Sequence, residues 1–270
     1  LRYPANLRPS ALLRPADNFR LLGNLAHRLV ERLFREPGSL DWDQDRVRRW
    51  FDLNLDAVVD EEGAVLRMPA HRAELEGFRM QFRRSLLDLH GYLRAADAVL
   101  VEPERALKAD SPIGALIGSS DLVVTTRSGT RIIIDMKWSG LKGYRERIAN
   151  HAHLQLAIYA HMIEREIRTW PAVGYYILRD AALLVSDPGL FEGLDGAPHP
   201  VGATEQLWQK AVASWKWRKT QFDAGVIEVA MEDIEADAES TPPGNSLQLE
   251  YLKPAYNPFA RLIGWEEARA

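Results

Sequence analysis

The stretch "RIIIDMKWSG" places a carboxylate and an amine inside an otherwise apolar run. Side chains of a β-strand alternate between its two faces, so Asp135 and Lys137 would point to one face and their apolar neighbours to the other. A third charged group, Asp121, follows the small residues of "GSS" upstream. Magnesium prefers oxygen ligands, and a lysine beside it can orient a water or neutralise a phosphate. These three residues could therefore hydrolyse a phosphodiester.

A hairpin would bring the two aspartates together. Residues 121–126 and 131–136 have the composition of strands, and the "RSGT" between them, with Gly129, has the length of a hairpin connection. Asp121 and Asp135 need not be directly opposite to converge on a shared cation across the bend. An Asp-x-Lys pair alone is more often a solvated ion pair near a turn, and this alternative stays open here.

The elements on either side of this hairpin must position it. Apolar residues recur at helical spacing from residue 16 to residue 34, with Asp17 as a candidate N-cap. These are Phe19, Leu22, Ala26, Leu29 and Leu33. Two further helices, separated by the turn-like "DEEGA", are predicted between about residues 40 and 97 and form a helical insertion.

From residue 98 the pattern changes to short extended runs, which predict three successive strands. A helix over 148–166, strand signals over 172–186 and a helix over 203–225 follow, before a polar tail that contains proline and glycine. The order helix, three strands, helix, strand predicts a mixed α/β fold around a central sheet.

The helix predicted over 203–225 carries two kinds of residue that bind nucleic acid. Cations suit phosphates and aromatic rings suit unstacked bases of single-stranded DNA. The cations are Lys210, Lys216, Arg218 and Lys219. Trp208 and Trp215 are seven residues apart, however, and this spacing favours a core-facing stripe for the tryptophans. The cations could lie on a solvated face or line a groove.

Composition excludes several classes of protein. The 270-residue chain has no apolar run long enough to cross a membrane and no secretory signal at its start, which favours a cytoplasmic protein. It has no cysteine, which excludes disulfides, thiolate zinc sites and cysteine-bound iron–sulfur clusters within it. The net charge of −4 argues against nonspecific coating of nucleic acid, but it is compatible with a site that gathers carboxylates around cations.

Taken in order, the pattern "GSSDLVV…RIIIDMKW" resembles the PD-(D/E)XK nuclease superfamily, whose signature is an acid, a hairpin, and then acid-any-lysine at the end of a hydrophobic strand. In "LGNLAHRLVERLF", Gly23 and His27 resemble the Gly-x-x-x-His helix of the RecB-like branch, which includes AddB-type nuclease domains. In "HLQLAIYAHM", Gln155 and Tyr159 resemble the Gln-x-x-x-Tyr helix of that branch. The resemblance covers about residues 16–180.

The resemblance implies a role for each matching residue. The metal ligands that it implies are His27, Asp121, Asp135 and the carbonyl of Met136. Lys137 would position or activate the attacking water, and Gln155 and Tyr159 would orient the lysine, the ligands or the DNA backbone. The cofactor would be Mg²⁺ or Mn²⁺.

Other interpretations stay open for individual residues. His27 could be a packed histidine, and Gln155 and Tyr159, one turn apart, could be a buried tyrosine and its polar neighbour. Related domains sometimes carry another acid on the strand "VEPERAL", where Glu104 or Glu102 could take that place or be an ordinary exposed glutamate. The chain also lacks the cysteines that hold an iron–sulfur cluster in several RecB-like groups, and "SSD" stands where "PD" would.

The resemblance implies a restriction-endonuclease-like αβββαβ core with a central mixed sheet, within a single nuclease domain spanning 1–270. The core would comprise about 16–36 and 98–186. The helical insertion would occupy about 40–97, and a C-terminal helical extension about 203–270.

The expected function is a Mg²⁺- or Mn²⁺-dependent deoxyribonuclease without an iron–sulfur cluster, acting on single-stranded DNA or a duplex end and not on a membrane. The chain opens on Leu1 rather than methionine, so we expect it to be part of a larger protein. Repair, recombination and defence all use the chemistry that the resemblance implies, and we expect the larger protein to act in one of them. A helicase or translocase would lie in the same polypeptide or on a partner subunit. The alternative is a catalytically silent nuclease-like module that binds DNA or a helicase, and RNA as the substrate also stays open.

Overall fold

The computed structural model describes residues 18–191, 202–226 and 243–247. The helices are α1 (Asn18–Arg35), α2 (Gln44–Glu62), α3 (Arg72–Ala95), α4 (Leu141–Ala149), α5 (Leu154–Ile167) and α6 (Ala203–Asp223). The strands are β1 (Ala98–Ser111), β2 (Gly114–Thr126), β3 (Arg131–Lys137), β4 (Ala172–Ile177) and β5 (Ala182–Val185). The candidate cap Asp17 and most of the predicted C-terminal extension lie outside the described residues. No helix in the described ranges is long and apolar enough to cross a membrane.

Helix α1 is amphipathic, as its apolar spacing predicts. Leu22, Ala26, Leu29 and Leu33 are each at most 8% exposed and belong to the core. Phe19 differs from the expectation, because it is 58% exposed and lines a cleft instead of entering the core.

Helices α2 and α3 occupy the range of the predicted insertion and share one core with α1. Asp43 caps α2 by accepting a hydrogen bond of 2.7 Å from the N–H of Arg46, and α2 ends inside the predicted "DEEGA" break. In α3, the ring of Phe78 stacks on Phe82 at 5.3 Å between ring centroids and lies 5.4 Å from the ring of Trp138, which follows β3. The insertion therefore packs against the end of the third strand as well as against α1.

The five strands are hydrogen-bonded in chain order, β1-β2-β3-β4-β5. Strands β3 and β4 are parallel, and the other neighbouring pairs are antiparallel. A parallel pair needs a crossover connection, which α4 and α5 provide. The predicted order αβββαβ and the mixed central sheet are therefore confirmed, with β5 as an additional edge strand.

The two faces of the sheet have separate cores. Helices α1–α3 cover one face, where Ile134 and Met136 of β3 are buried, and α5 covers the other, where Ile133 is buried. Asp135 and Lys137 follow Ile133 at intervals of two residues, so they belong to the α5 face. The alternation predicted for this strand is confirmed.

Strands β1 and β2 form a hairpin that extends well beyond β3. Their pairing continues to Ser111 and Gly114, whereas β2 pairs with β3 only as far as Leu122 and Ile134. Asp121 is therefore the residue at which β2 separates from β3.

The single helix predicted over 148–166 is two helices. Helix α4 ends at Ala149, and His151 has a left-handed φ of 52°. Helix α5 begins at Leu154, which puts Gln155 in its first turn. No glycine or proline marks the break, so the residue pattern did not reveal it.

The chain divides into two compact units. The described residues up to Gln209 belong to the larger unit, where Trp208 of α6 is buried and stacks on His161 at 4.3 Å between ring centroids. The residues of α6 from Lys210 onward belong to the second unit, in which Trp215 is 39% exposed. The core-facing stripe predicted for this helix is therefore confirmed at Trp208 and wrong at Trp215.

Gly174 in β4 provides a test of the packing between β4 and β5. A Cβ here would lie 2.6 Å from the carbonyl oxygen of Leu184 and 2.8 Å from Cγ1 of Val185. A backbone carbonyl in a paired strand cannot move aside alone, so Gly174→Ala should lower the free energy of unfolding by about 1–3 kcal/mol, measured by urea denaturation. The control is Gly91→Ala in α3, where a Cβ meets nothing within 4 Å and better helix propensity should add up to ~1 kcal/mol. Equal effects of the two changes would contradict this packing.

Candidate active site

Asp121 joins β2 to β3 beyond the point where their backbones stop pairing. Its Oδ2 accepts a hydrogen bond of 2.6 Å from the N–H of Met136, one step past the last pair, Leu122 with Ile134. A side-chain oxygen thus continues the pairing with β3 in place of a backbone carbonyl. Burial raises the pKa of Asp121 to about 6, although the Met136 hydrogen bond and the charge of Lys137 act in the opposite direction.

Asp135 and Lys137 form an ion pair. The lysine Nζ lies 2.6 Å from Oδ2 of Asp135, which is 1% exposed. Burial and the charge of Asp121 raise the pKa of Asp135 to about 6. Burial acts against the charge on Lys137, but the charge of Asp135 and the contact with its carboxylate raise the lysine pKa overall. Lys137 is therefore a cation fixed beside two carboxylates.

His27 of α1 binds the backbone of β3. Its Nε2 lies 3.1 Å from the carbonyl oxygen of Met136, and a carbonyl only accepts, so Nε2 carries the hydrogen. The lone pair of Nδ1 then faces Oδ1 of Asp121 at 3.7 Å and Oε1 of Glu104 at 3.9 Å. Burial lowers the pKa of His27, although the charge of Glu104 acts in the opposite direction. The lowered pKa favours the neutral imidazole.

Glu104 is the acid that the residue pattern left ambiguous, and the structure brings it to the site. The strand pairs on either side of it place it opposite Asp121. Its φ of 48° is left-handed, a conformation that is uncommon for residues with a Cβ. Ser119 Oγ donates a hydrogen bond of 3.3 Å to its Oε2. Glu102, the other candidate, is instead ion-paired with two arginines.

These groups fit a divalent cation. One ligand atom each from His27, Glu104 and Asp121 lies within 4.8 Å of the others. A neutral imidazole nitrogen and two carboxylates are acceptors that repel one another unless a positive charge lies between them. Together they are a donor set that a divalent metal ion accepts.

Two residues predicted as ligands make other contacts. Asp135 pairs with Lys137, and the carbonyl of Met136 accepts its hydrogen bond from His27. Both residues still line the same cleft as the three-residue group. Their roles as metal ligands stay a prediction.

Gln155 and Tyr159 lie one turn apart on α5. Gln155 lines the cleft and donates a hydrogen bond of 3.4 Å to Oη of Tyr159. Tyr159 packs beneath it against the β1–β2 hairpin, where a Cβ at Gly118 would come within 2.9 Å of its ring. Gln155 can therefore reach a substrate directly, whereas Tyr159 is placed to position Gln155.

The cleft has a volume of about 660 Å³ and contains more carboxylates than cations. Its acidic lining residues are Glu31, Glu62, Glu104, Asp121 and Asp135, and its cationic ones are Arg20, Arg28 and Lys137. Arg28 is already paired with Glu31 at 2.7 Å and with Glu62 at 3.0 Å. A phosphate would enter this surface against net negative charge unless bound cations offset it.

The fold and the acid–hairpin–acid-x-lysine arrangement define a restriction-endonuclease-like protein of the metal-dependent nuclease class. A family profile described as the PD-(D/E)XK nuclease superfamily matches residues 1–240, and the chain belongs to that superfamily. No curated protein matches the chain in a sequence search. The resemblance is therefore confirmed for the superfamily.

Metal binding should depend on Glu104. Because its carboxylate is one of three clustered donors, Glu104→Gln should weaken Mn²⁺ binding about tenfold or more, measured by isothermal titration calorimetry. The matched control is Glu102→Gln on the same strand. It also removes one carboxylate charge, but this carboxylate is ion-paired with two arginines. Equal weakening by both changes would mean that Mn²⁺ is attracted only by the overall negative charge of the surface and not by a defined set of ligands.

Proposed function

We propose that this chain is a Mg²⁺- or Mn²⁺-dependent deoxyribonuclease that hydrolyses phosphodiester bonds. The proposal rests above all on Lys137, which is held 2.6 Å from the buried Asp135 in the cleft that also contains His27, Glu104 and Asp121. Burying ionised groups in this way generally costs stability. A silent nuclease-like module would have no use for that arrangement, so catalysis accounts for it better.

The chain's own residues divide the chemical work. A divalent cation bound by His27, Glu104 and Asp121, with Asp135 as a further candidate ligand, would polarise the phosphate and lower the pKa of a bound water. Lys137 would donate hydrogen bonds to that water or to a non-bridging phosphate oxygen. Its fixed charge would then stabilise the negative charge that builds in the transition state.

We further propose that the chain belongs to the RecB-like branch. Gly23 and His27 both line the cleft from α1, and Gln155 lines it from α5 with Tyr159 in contact beneath. This arrangement is the one expected for the Gly-x-x-x-His and Gln-x-x-x-Tyr helices. The sequence carries no cysteine to hold an iron–sulfur cluster, so the proposed nuclease uses the divalent metal alone.

The biological setting is also part of this proposal. The domain would act in the cytoplasm as the nuclease part of a larger DNA-processing protein for repair, recombination or defence. A helicase or translocase, in the same polypeptide or on a partner subunit, would supply single-stranded DNA or a duplex end to the cleft.

Cleavage should require both members of the ion pair. With labelled single-stranded and duplex DNA in Mg²⁺ or Mn²⁺, Lys137→Ala and Asp135→Asn should each reduce the cleavage rate about 100-fold or more. Lys137→Ala removes the cation placed to stabilise the transition state, and Asp135→Asn removes the carboxylate that holds this lysine and is a candidate metal ligand. An RNA of the same sequence should be cut less efficiently. Gel electrophoresis of the products measures the cleavage rates of the unaltered protein and of both variants on DNA, and of the unaltered protein on RNA.

The control for these variants is Lys142→Ala on α4, whose side chain is 92% exposed, and it should leave the rate unchanged. Circular dichroism should show that each variant is folded. Rates that stay at the unaltered level in both Lys137→Ala and Asp135→Asn would refute the mechanism. DNA binding without any cleavage by the unaltered protein would favour the silent module.

A further inference from the structure

The hairpin of β1 and β2 continues past the candidate metal site without β3. Its strands stay paired over 105–111 and 114–120, which lie beyond the last pair of β2 with β3. Helix α5 covers one face of this extension. Leu107 is 2% exposed and belongs to the core under α5, and a Cβ at Gly118 would meet the ring of Tyr159. This face is therefore fixed to the domain.

The opposite face of the extension is open to solvent. Side chains of a strand alternate between its faces, so the residues between those that meet α5 point away from it, and each of them is exposed. We call these residues the outer face of the hairpin: Ala106, Lys108, Asp110, Ala115, Ile117 and Ser119. The largest apolar side chain among them, Ile117, is 79% exposed. A ligand could therefore reach the whole row.

The outer face adjoins the candidate metal site. Ser119 Oγ donates a hydrogen bond of 3.3 Å to Oε2 of Glu104, and Oε1 of Glu104 lies 3.9 Å from Nδ1 of His27. Ala106 is paired with Ser119, and both side chains are small, so a strand of DNA could lie close to the sheet at this pair. A phosphate bound by the metal would therefore lie at one end of the outer face.

The next pair on the outer face is Lys108 with Ile117. Lys108 is exposed and forms no ion pair with any residue that the structure describes, unlike Arg105, which is paired with two glutamates. An ammonium group without a carboxylate partner is free to bind a phosphate. The aliphatic side chain of Ile117, on the same face, can pack on the nucleotide beside that phosphate. Asp110 follows Lys108 on this face with the opposite charge, so contact with phosphates should end there.

We infer that the DNA strand leaving the metal site lies along the outer face of the hairpin, where Lys108 binds a phosphate and Ile117 packs on the adjoining nucleotide. The inference rests on the nuclease proposed above and adds a surface that binds its substrate. The positive charge that holds the strand then lies beyond the carboxylates of the cleft.

The strand sets the distance between this phosphate and the cut. Glu104 and Lys108 are four residues apart, which corresponds to ~13 Å along a β-strand at ~3.3 Å per residue. A stacked DNA strand rises ~3.4 Å per nucleotide and an extended one rises more. The phosphate on Lys108 should therefore lie within about four nucleotides of the scissile phosphate.

A scan with methylphosphonate linkages, each of which removes the charge of one phosphate, tests the inference. Single-stranded oligonucleotides with one such linkage each are bound to Lys137→Ala protein in Mg²⁺, and fluorescence anisotropy gives each Kd. At the phosphate that Lys108 binds, the linkage should weaken binding about fivefold at ~0.1 M salt, because one phosphate contact releases ~0.7 of a counterion from a single strand.

Adding Lys108→Ala should weaken binding of the unmodified oligonucleotide by the same factor and remove the effect of that linkage alone. It should also reduce the slope of log Kd against log salt concentration by ~0.7. Ile117→Ala should weaken binding about twofold or more and leave this slope unchanged, because it removes apolar contact and no charge.

Each variant has a matched control. Lys142→Ala on α4, whose side chain is 92% exposed, is the control for the lysine. Leu53→Ala on α2, a residue that is 80% exposed outside the cleft, is the control for the isoleucine. Neither control should change the scan or the slope, and circular dichroism should show that every variant is folded.

A scan and a slope that stay the same in Lys108→Ala overturn the inference, as does a protein that binds no DNA. An unchanged Kd in Ile117→Ala refutes the contact with the isoleucine. Cleavage by the unaltered protein is measured separately. Absence of cleavage with Lys108-dependent binding refutes the nuclease but supports the binding surface, whereas cleavage with a Lys108-independent scan refutes the binding surface alone.

Discussion

The backbone of Met136 holds the three parts of the site in one arrangement. Its N–H donates to Asp121 of β2, and its carbonyl accepts from His27 of α1. Its side chain is 2% exposed and packs in the core on the opposite face. Both hydrogen bonds use backbone groups, an N–H and a carbonyl, and only proline lacks the N–H. The side chain at position 136 is therefore determined by its packing in the core and not by the site. Asp135 and Lys137 can then line the cleft from the other face of the same strand.

Electrostatics explains why such a site must be built on a rigid scaffold. Burial raises the pKa of both Asp121 and Asp135 to about 6, so holding these carboxylates together in ionised form lowers the stability of the fold. Lys137 offsets part of this repulsion through its contact with Asp135. His27 contributes an uncharged acceptor, because its Nε2–H is used by a carbonyl. The remaining negative charge would attract the divalent cation of the proposed mechanism.

Several features of the site follow from local patterns. The two-residue period of a strand is enough to place Asp135 and Lys137 on one face, and hairpin composition places Asp121 near them. The direction of Glu104 could not be predicted, because it depends on a positive φ that composition does not signal. Helical spacing assigned Phe19 to the core stripe, since a pattern on one helix does not show which of its sides meets a cleft.

The helical insertion also has a consequence for attempts to shorten the protein. Phe78 of the insertion packs on Trp138, the residue after Lys137, and α1 shares its buried surface with both inserted helices. A minimal enzyme reduced to the αβββαβ elements would expose that surface and release the helix that carries His27. The two inserted helices therefore support the proposed catalytic centre through their buried residues.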